Sequence, residues 1–130
     1  MGLLSLFGSK KNSEEKEKKE LPWKQLVSME QLDSIITESK TTPVAIFKHS
    51  TRCGISRMVI RQFESMYSID TDKMSLYYLD LLAYRNLSDE VGIKFQVLHQ
   101  SPQLIVIKDG VAVAHASHQA IRAGELHDFV

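Results

Sequence analysis

Apolar residues recur at two different periods along the chain, and the switches between them mark its elements. From Ser28 the pattern is helical. Met29, Leu32, Ile35 and Ile36 share one face, Ser28 stands at an N-cap position, and Gln31 follows at the capping-box spacing. A helix from about Met29 to Ser39 is predicted, ended by Thr41-Thr42-Pro43. Val44 to His49 is short and apolar enough for a strand buried on both faces. Helical spacing returns in Ile55, Met58, Val59, Phe63 and Met66, which predicts a second helix reaching Tyr67. Met74 to Leu81 reads as a strand, and a third helix, capped by Asn86 or Ser88, is expected through Val91 and Phe95. Gly92 weakens that helix by about 1 kcal/mol relative to alanine. Beyond a loop around Ser101-Pro102, Leu104–Ile107 and Val111–His115 form a predicted hairpin. Its Lys108-Asp109-Gly110 link contains the Asp-Gly pair of a tight turn. A final short helix carries Ile121, Leu126 and Phe129.

The first 20 residues carry no such pattern. Glu14 to Glu20 holds only glutamate and lysine, a run that cannot offset its ordering entropy by burial. Residues 1–20 are therefore expected to be a flexible charged tail and residues 21–130 one folded domain. Leu3, Leu4, Leu6 and Phe7 make too short a patch to anchor the chain on a membrane by themselves. Lys and Arg number 16, as do Asp and Glu, and this balance argues against a nucleic-acid binder. No apolar run approaches the roughly 20 residues of a membrane span. The start matches neither a secretory leader nor the myristoylation pattern, because residue 6 is leucine. These features lead us to expect a soluble, cytoplasmic, monomeric protein.

Cys53 is the only cysteine, so no intramolecular disulfide can form. A lone cysteine is most often inert packing, but the neighbours here are polar: Thr51, Arg52, Gly54 and Ser56. The residue falls where the first long strand gives way to a helix, at backbone N–H groups that lack intrahelical partners and favour negative charge. The thiolate is the species that attacks disulfides. A dithiol enzyme would resolve the resulting mixed disulfide with a cysteine three residues on, and that position is Ser56. A mixed disulfide at Cys53 must therefore wait for an external thiol. Thr51, Arg52, Gly54 and Ser56 are the candidate thiolate supports, and Ser56 is expected to donate a hydrogen bond to the sulfur. His49, at the strand end, is a candidate for proton transfer, and Asp80 for a buried acid near the thiol. His49, His99, His115, His118 and His127 show no ligand spacing, and one cysteine cannot build a closed zinc site, so no metal or bound cofactor is expected.

The predicted order is helix, strand, helix, strand, helix, strand, strand, helix. It is similar to the thioredoxin arrangement, an α/β fold expected here as a central mixed four-stranded sheet flanked by helices. Lys48-His49-Ser50-Thr51-Arg52-Cys53-Gly54-Ile55-Ser56, Gln100-Ser101-Pro102-Gln103 and Ala116-Ser117-His118 resemble the monothiol bacilliredoxins, the YtxJ-like proteins of the bacillithiol system, over roughly Met29 to Val130. The resemblance implies that Cys53 is a nucleophile removing bacillithiol from S-bacillithiolated client proteins, with bacillithiol as the exchanging low-molecular-weight thiol. A low-molecular-weight thiol or a reductase would regenerate it. Pro102 would be a cis proline beside the sulfur, and Ser101 would offer backbone hydrogen bonds to an extended substrate. Gln103 and His49 complete the implied substrate-binding set. The sequence departs from the family pattern at Gly54, where proline is common, and at Gln96, where a helix-ending glycine is usual. Two alternatives stand beside this reading. Cys-Gly-Ile-Ser differs by one residue from the Cys-Gly-Phe-Ser of monothiol glutaredoxins, which carry iron–sulfur clusters. Gln-Ser-Pro-Gln in place of Thr-Val-Pro, and Gly110 followed by Val111-Ala112-Val113, argue against that reading. The other alternative is a non-catalytic thioredoxin-like adaptor.

Overall fold

The structure is a computed structural model that describes residues 20–130. The charged tail, with Leu3, Leu4, Leu6 and Phe7, lies outside the described residues apart from Glu20. In chain order the elements are β1 (Trp23–Gln25), α1 (Glu30–Glu38), β2 (Val44–His49), α2 (Gly54–Met66), β3 (Ser75–Asp80), α3 (Arg85–Phe95), β4 (Gln103–Lys108) and β5 (Val111–Ser117). Two 3₁₀ turns, His118–Ala120 and Ala123–Phe129, follow in place of the expected final helix. The strands lie in the order β1-β3-β2-β4-β5. Strands β1 and β2 run parallel to β3, whereas β4 is antiparallel to β2 and β5 to β4. This is the thioredoxin fold, with five strands in the sheet rather than four. The additional strand is β1, three residues whose backbone pairs Trp23 with Leu76 and Gln25 with Tyr78 at the sheet edge.

Strand β2 is buried along its whole length because it has a neighbour on each side and helices over both faces. Its alternation divides the core in two. Ala45 and Phe47 pack with Val59, Ile60 and Phe63 of α2, and Leu126 of the last 3₁₀ turn closes this layer. Val44 and Ile46 face Leu32 and Ile35 of α1 and Leu87 and Val91 of α3. Continuing the alternation, Lys48 falls on the α3 side and His49 on the α2 side.

Polar contacts finish the elements. Helix α1 starts at Glu30 with no side-chain cap. Gln31 Oε1 instead reaches back to accept the backbone N–H groups of Val27 at 2.7 Å and Ser28 at 3.0 Å, so the capping-box pair meets through its glutamine half. At the other end, Glu38 accepts from Tyr77 Oη at 2.8 Å, Lys24 Nζ at 3.2 Å and Ser75 Oγ, joining α1 to β1 and β3. Burial pushes this carboxyl up, but the three hydrogen bonds prevail and hold it below its ordinary value. The Asp109-Gly110 turn has φ of 51° and 80°, the left-handed pair of a two-residue hairpin. Buried Ser39 clamps its tip, accepting Gly110 N–H on Oγ at 2.8 Å and Asp109 N–H on its carbonyl at 2.9 Å.

Helix α3 begins at Arg85, ahead of both expected caps. Asp80 Oδ1 accepts the N–H groups of Leu82 and Ala83, turning the chain into the helix early. Ser88 is thereby carried into the buried face, where its Oγ has no hydrogen-bond partner among the described residues. Gln96 adopts the left-handed conformation, φ 57°, that a glycine would usually supply. The glycine is needed instead at Gly92, because a Cβ there would lie 2.9 Å from the Val97 carbonyl oxygen as the chain folds back.

Candidate active site

The site forms where β2 ends. Ser50 to Arg52 make a turn closed by the Cys53 N–H donating to Ser50 O at 3.2 Å, and α2 opens with Arg57 N–H donating to Cys53 O at 3.0 Å. Cys53 is therefore the N-cap of α2, with φ −98° and ψ 122°, one position before the helical turn expected from sequence. It makes no side-chain cap hydrogen bond. An N-cap side chain is the group placed to accept the free N–H groups of a helix's first turn, which suits a negatively charged sulfur. Cys53 is half-buried, whereas Thr51, Arg52 and Gly54 around it are exposed. Gly54 occupies the first helical position, and the extended backbone of Cys53 before it is compatible with the proline usual there.

Ser56 is fully buried, and its hydroxyl is used elsewhere than sequence suggested. Ser56 Oγ accepts the Ser50 N–H at 3.1 Å and pairs with His49 Nδ1 at 2.8 Å, rather than bonding to the Cys53 sulfur. Its hydroxyl locks the turn before the cysteine to the first turn of α2. His49 is buried at the end of β2, with the Tyr78 ring 5.6 Å away. Burial pushes its imidazole below the ordinary histidine value, with Arg57 adding to the effect and Asp80 opposing it. Asp80 is the register partner of His49 across the β2–β3 pair. Its carboxylate also holds the β3–α3 turn, so the acid singled out from sequence acts on His49 and on local backbone.

Across β2, Lys48 pairs in register with Gln103 of β4. One step further sets Pro102 opposite His49, at the same end of the sheet as Cys53. The Ser101–Pro102 bond is cis, as the resemblance implied. Pro102 O accepts the His118 N–H at 3.0 Å, which accounts for the third quoted motif lying at the site. Ser101 is half-buried, and its backbone N–H and carbonyl form no hydrogen bond among the described residues. The side chain of Gln103, expected in the substrate-binding set, is turned inward onto its own loop. It is fully buried, donates from Nε2 to Leu98 O at 2.9 Å and accepts Gln100 N–H on Oε1 at 3.4 Å.

Sequence reading missed Lys48. This lysine is fully buried on the α3 face, donates to Ser88 O at 2.9 Å and meets His99 Nδ1 at 3.2 Å. Burial lowers its amine to about 8, with Asp89 opposing the shift. The available signal was its place in the Val44, Ile46 series, which puts residue 48 on a core face. Among the described residues no three metal-binding side chains come together. No helix among them is long and apolar enough to cross a membrane.

A family model of monothiol bacilliredoxins matches residues 24–126. Among solved structures, one described as having a thioredoxin fold is 33% identical over 80% of this chain and 89% of its own, with a TM-score of 0.68. Thioredoxin from Malassezia sympodialis is 19% identical over 85% of this chain and 93% of its own, TM-score 0.61. Thioredoxin from Fasciola hepatica is 21% identical over 82% and 94%, TM-score 0.58. The last two likenesses are of fold alone.

Proposed function

The chain belongs to the monothiol bacilliredoxin family, a thiol–disulfide oxidoreductase on the thioredoxin fold, and we propose that it removes bacillithiol from S-bacillithiolated client proteins. The observation that carries this reading is the pairing of Cys53, half-buried at the N-cap of α2, with a serine where a resolving thiol would stand. The Ser56 hydroxyl is engaged with His49 and Ser50 and has no means of breaking a disulfide.

The Cys53 thiolate attacks the bacillithiol sulfur of a client mixed disulfide in line with the S–S bond. That bond breaks, a new one forms between Cys53 and bacillithiol, and the client sulfur leaves as a thiolate that takes a proton from solvent. A second, external thiolate then attacks the bacillithiol sulfur held on Cys53. It restores the Cys53 thiolate and departs as a disulfide with bacillithiol. A free low-molecular-weight thiol, bacillithiol itself among them, or a reductase supplies this second step. The unpaired Ser101 backbone before Pro102 offers hydrogen bonds to an extended client segment, as an added strand would use them. We place this activity in the cytoplasm, with a monomer as the working unit and bacillithiol as the exchanging thiol rather than a bound cofactor.

The reading predicts stoichiometry. Reduced protein mixed with a bacillithiolated client and no other thiol releases one client thiol per chain and stops. Added bacillithiol restores turnover. Multiple turnovers without added thiol would contradict a monothiol mechanism.

A further inference from the structure

The loop that delivers Ser101 and Pro102 to the site is held from beneath by two fully buried polar side chains, Lys48 and Gln103, which are cross-strand neighbours. Gln103 fastens residues 98 and 100 through Leu98 O and Gln100 N–H. Lys48 fastens the residue between them, with its ammonium against His99 Nδ1 at 3.2 Å and Ser88 O of α3 at 2.9 Å. His99 as a residue is exposed, while its contact with Lys48 is part-buried. We propose that Lys48 and His99 form a titratable latch that holds the Ser101–Pro102 edge in register for substrate at neutral pH and releases it when His99 takes a proton.

The chemistry of the contact sets its direction. With Lys48 charged, Nζ–H donates to the lone pair of Nδ1, so the ring proton of His99 sits on Nε2. Protonating His99 puts an N–H against an ammonium that has only donors, and sets two positive charges side by side in a partly buried place. The hydrogen bond is then lost and the contact becomes repulsive. The groups facing the pair are Asp89 and Arg85 of α3. Asp89 attracts both partners, while Arg85 joins Lys48 in disfavouring a second charge. Burial, foremost, and Lys48 hold His99 below the ordinary histidine value, so the latch is closed at pH 7 and opens in acid. Above about pH 8, where Lys48 loses its proton, His99 can donate from Nδ1 to the neutral amine and the contact persists. His49 lies on the opposite face of β2 and belongs to the Ser56 contact instead. Lys48 and His99 are thus positioning residues, acting on substrate through the loop.

The inference rests on Cys53 exchange with a substrate seated along Ser101, so its test separates the two. An extended octapeptide with one cysteine is prepared twice, as its mixed disulfide with bacillithiol and with 5-thio-2-nitrobenzoate. Exchange kinetics of both are followed from pH 5 to 8, beside iodoacetamide alkylation of Cys53, which reports the thiolate alone. For the wild type, KM rises in acid beyond what alkylation explains. His99→Leu raises KM about tenfold at pH 7, the size of one charge-assisted hydrogen bond, and flattens the acid rise. His99→Gln keeps an acceptor that does not titrate, so its KM at pH 7 stays close to wild type while the acid rise disappears. If His99→Gln retains the wild-type acid rise, or His99→Leu leaves KM unchanged, the latch is overturned. Failure of the bacillithiol peptide alone, with the nitrobenzoate peptide behaving as described, would overturn the bacillithiol reading and leave the latch standing.

Discussion

Cys53→Ser abolishes thiol–disulfide exchange and at the same time raises the stability of the protein. The two effects arise from one position. Cys53 is the N-cap of α2 and makes no side-chain cap hydrogen bond. Serine is among the preferred N-caps because its oxygen accepts a first-turn N–H, and gaining such a cap is worth about 0.5–2 kcal/mol. The same oxygen is no nucleophile toward a disulfide, and no other cysteine exists to replace the sulfur. The variant therefore unfolds at higher urea than wild type and shows no exchange with any disulfide. Unchanged or lowered stability would mean that the hydroxyl fails to cap α2, and residual exchange would move the chemistry away from residue 53. The chain forgoes a favourable cap at the residue we propose as its nucleophile, a local conflict typical of functional positions.

Phe47→Ala has the largest expected effect on folding. Phe47 is fully buried on β2, with Phe63 at 5.4 Å and Trp23 at 6.0 Å between ring centroids, both edge-on. Trp23 is further fixed by its Nε1 donating to Glu64 at 2.8 Å. Removing the ring leaves a cavity beneath α2 that the neighbouring rings cannot fill, for a loss of about 3–5 kcal/mol. That is a large share of the roughly 5–15 kcal/mol by which domains are stable. An unfolding free energy from urea titration within about 1 kcal/mol of wild type would mean that the layer collapses around the vacancy.

The elements read correctly from sequence are those whose pattern runs long enough to have a period. Helices α1 and α2, strands β2 and β3 and the Asp109-Gly110 hairpin fall within a residue or two of their expected bounds. Strand β1 escaped because Trp23-Lys24-Gln25 is too short to alternate visibly and owes its place to pairing with β3, more than fifty residues away. The α3 start was misplaced because the deciding group, the Asp80 carboxylate, lies on the preceding strand. At the site, Cys53, His49, Ser56 and Pro102 were each legible as residue types at suggestive places. Their connections were not. Ser56 engages His49 rather than sulfur, and Gln103 turns inward to hold its own loop. Lys48 is the clearest case. A lysine in an apolar strand gains its meaning from partners 40 and 51 residues away, at Ser88 and His99, and no local pattern announces them.

The central claim is that Cys53 takes bacillithiol as a mixed disulfide and cannot release it alone. Reduced protein incubated with bacillithiol disulfide, and in parallel with glutathione disulfide, is sampled over time for intact mass and for the modified peptide. The account predicts a single bacillithiol adduct on Cys53, formed faster than the glutathione adduct, stable until free thiol is added and absent from Cys53→Ser. No bacillithiol adduct, or one no faster than glutathione's, would contradict it.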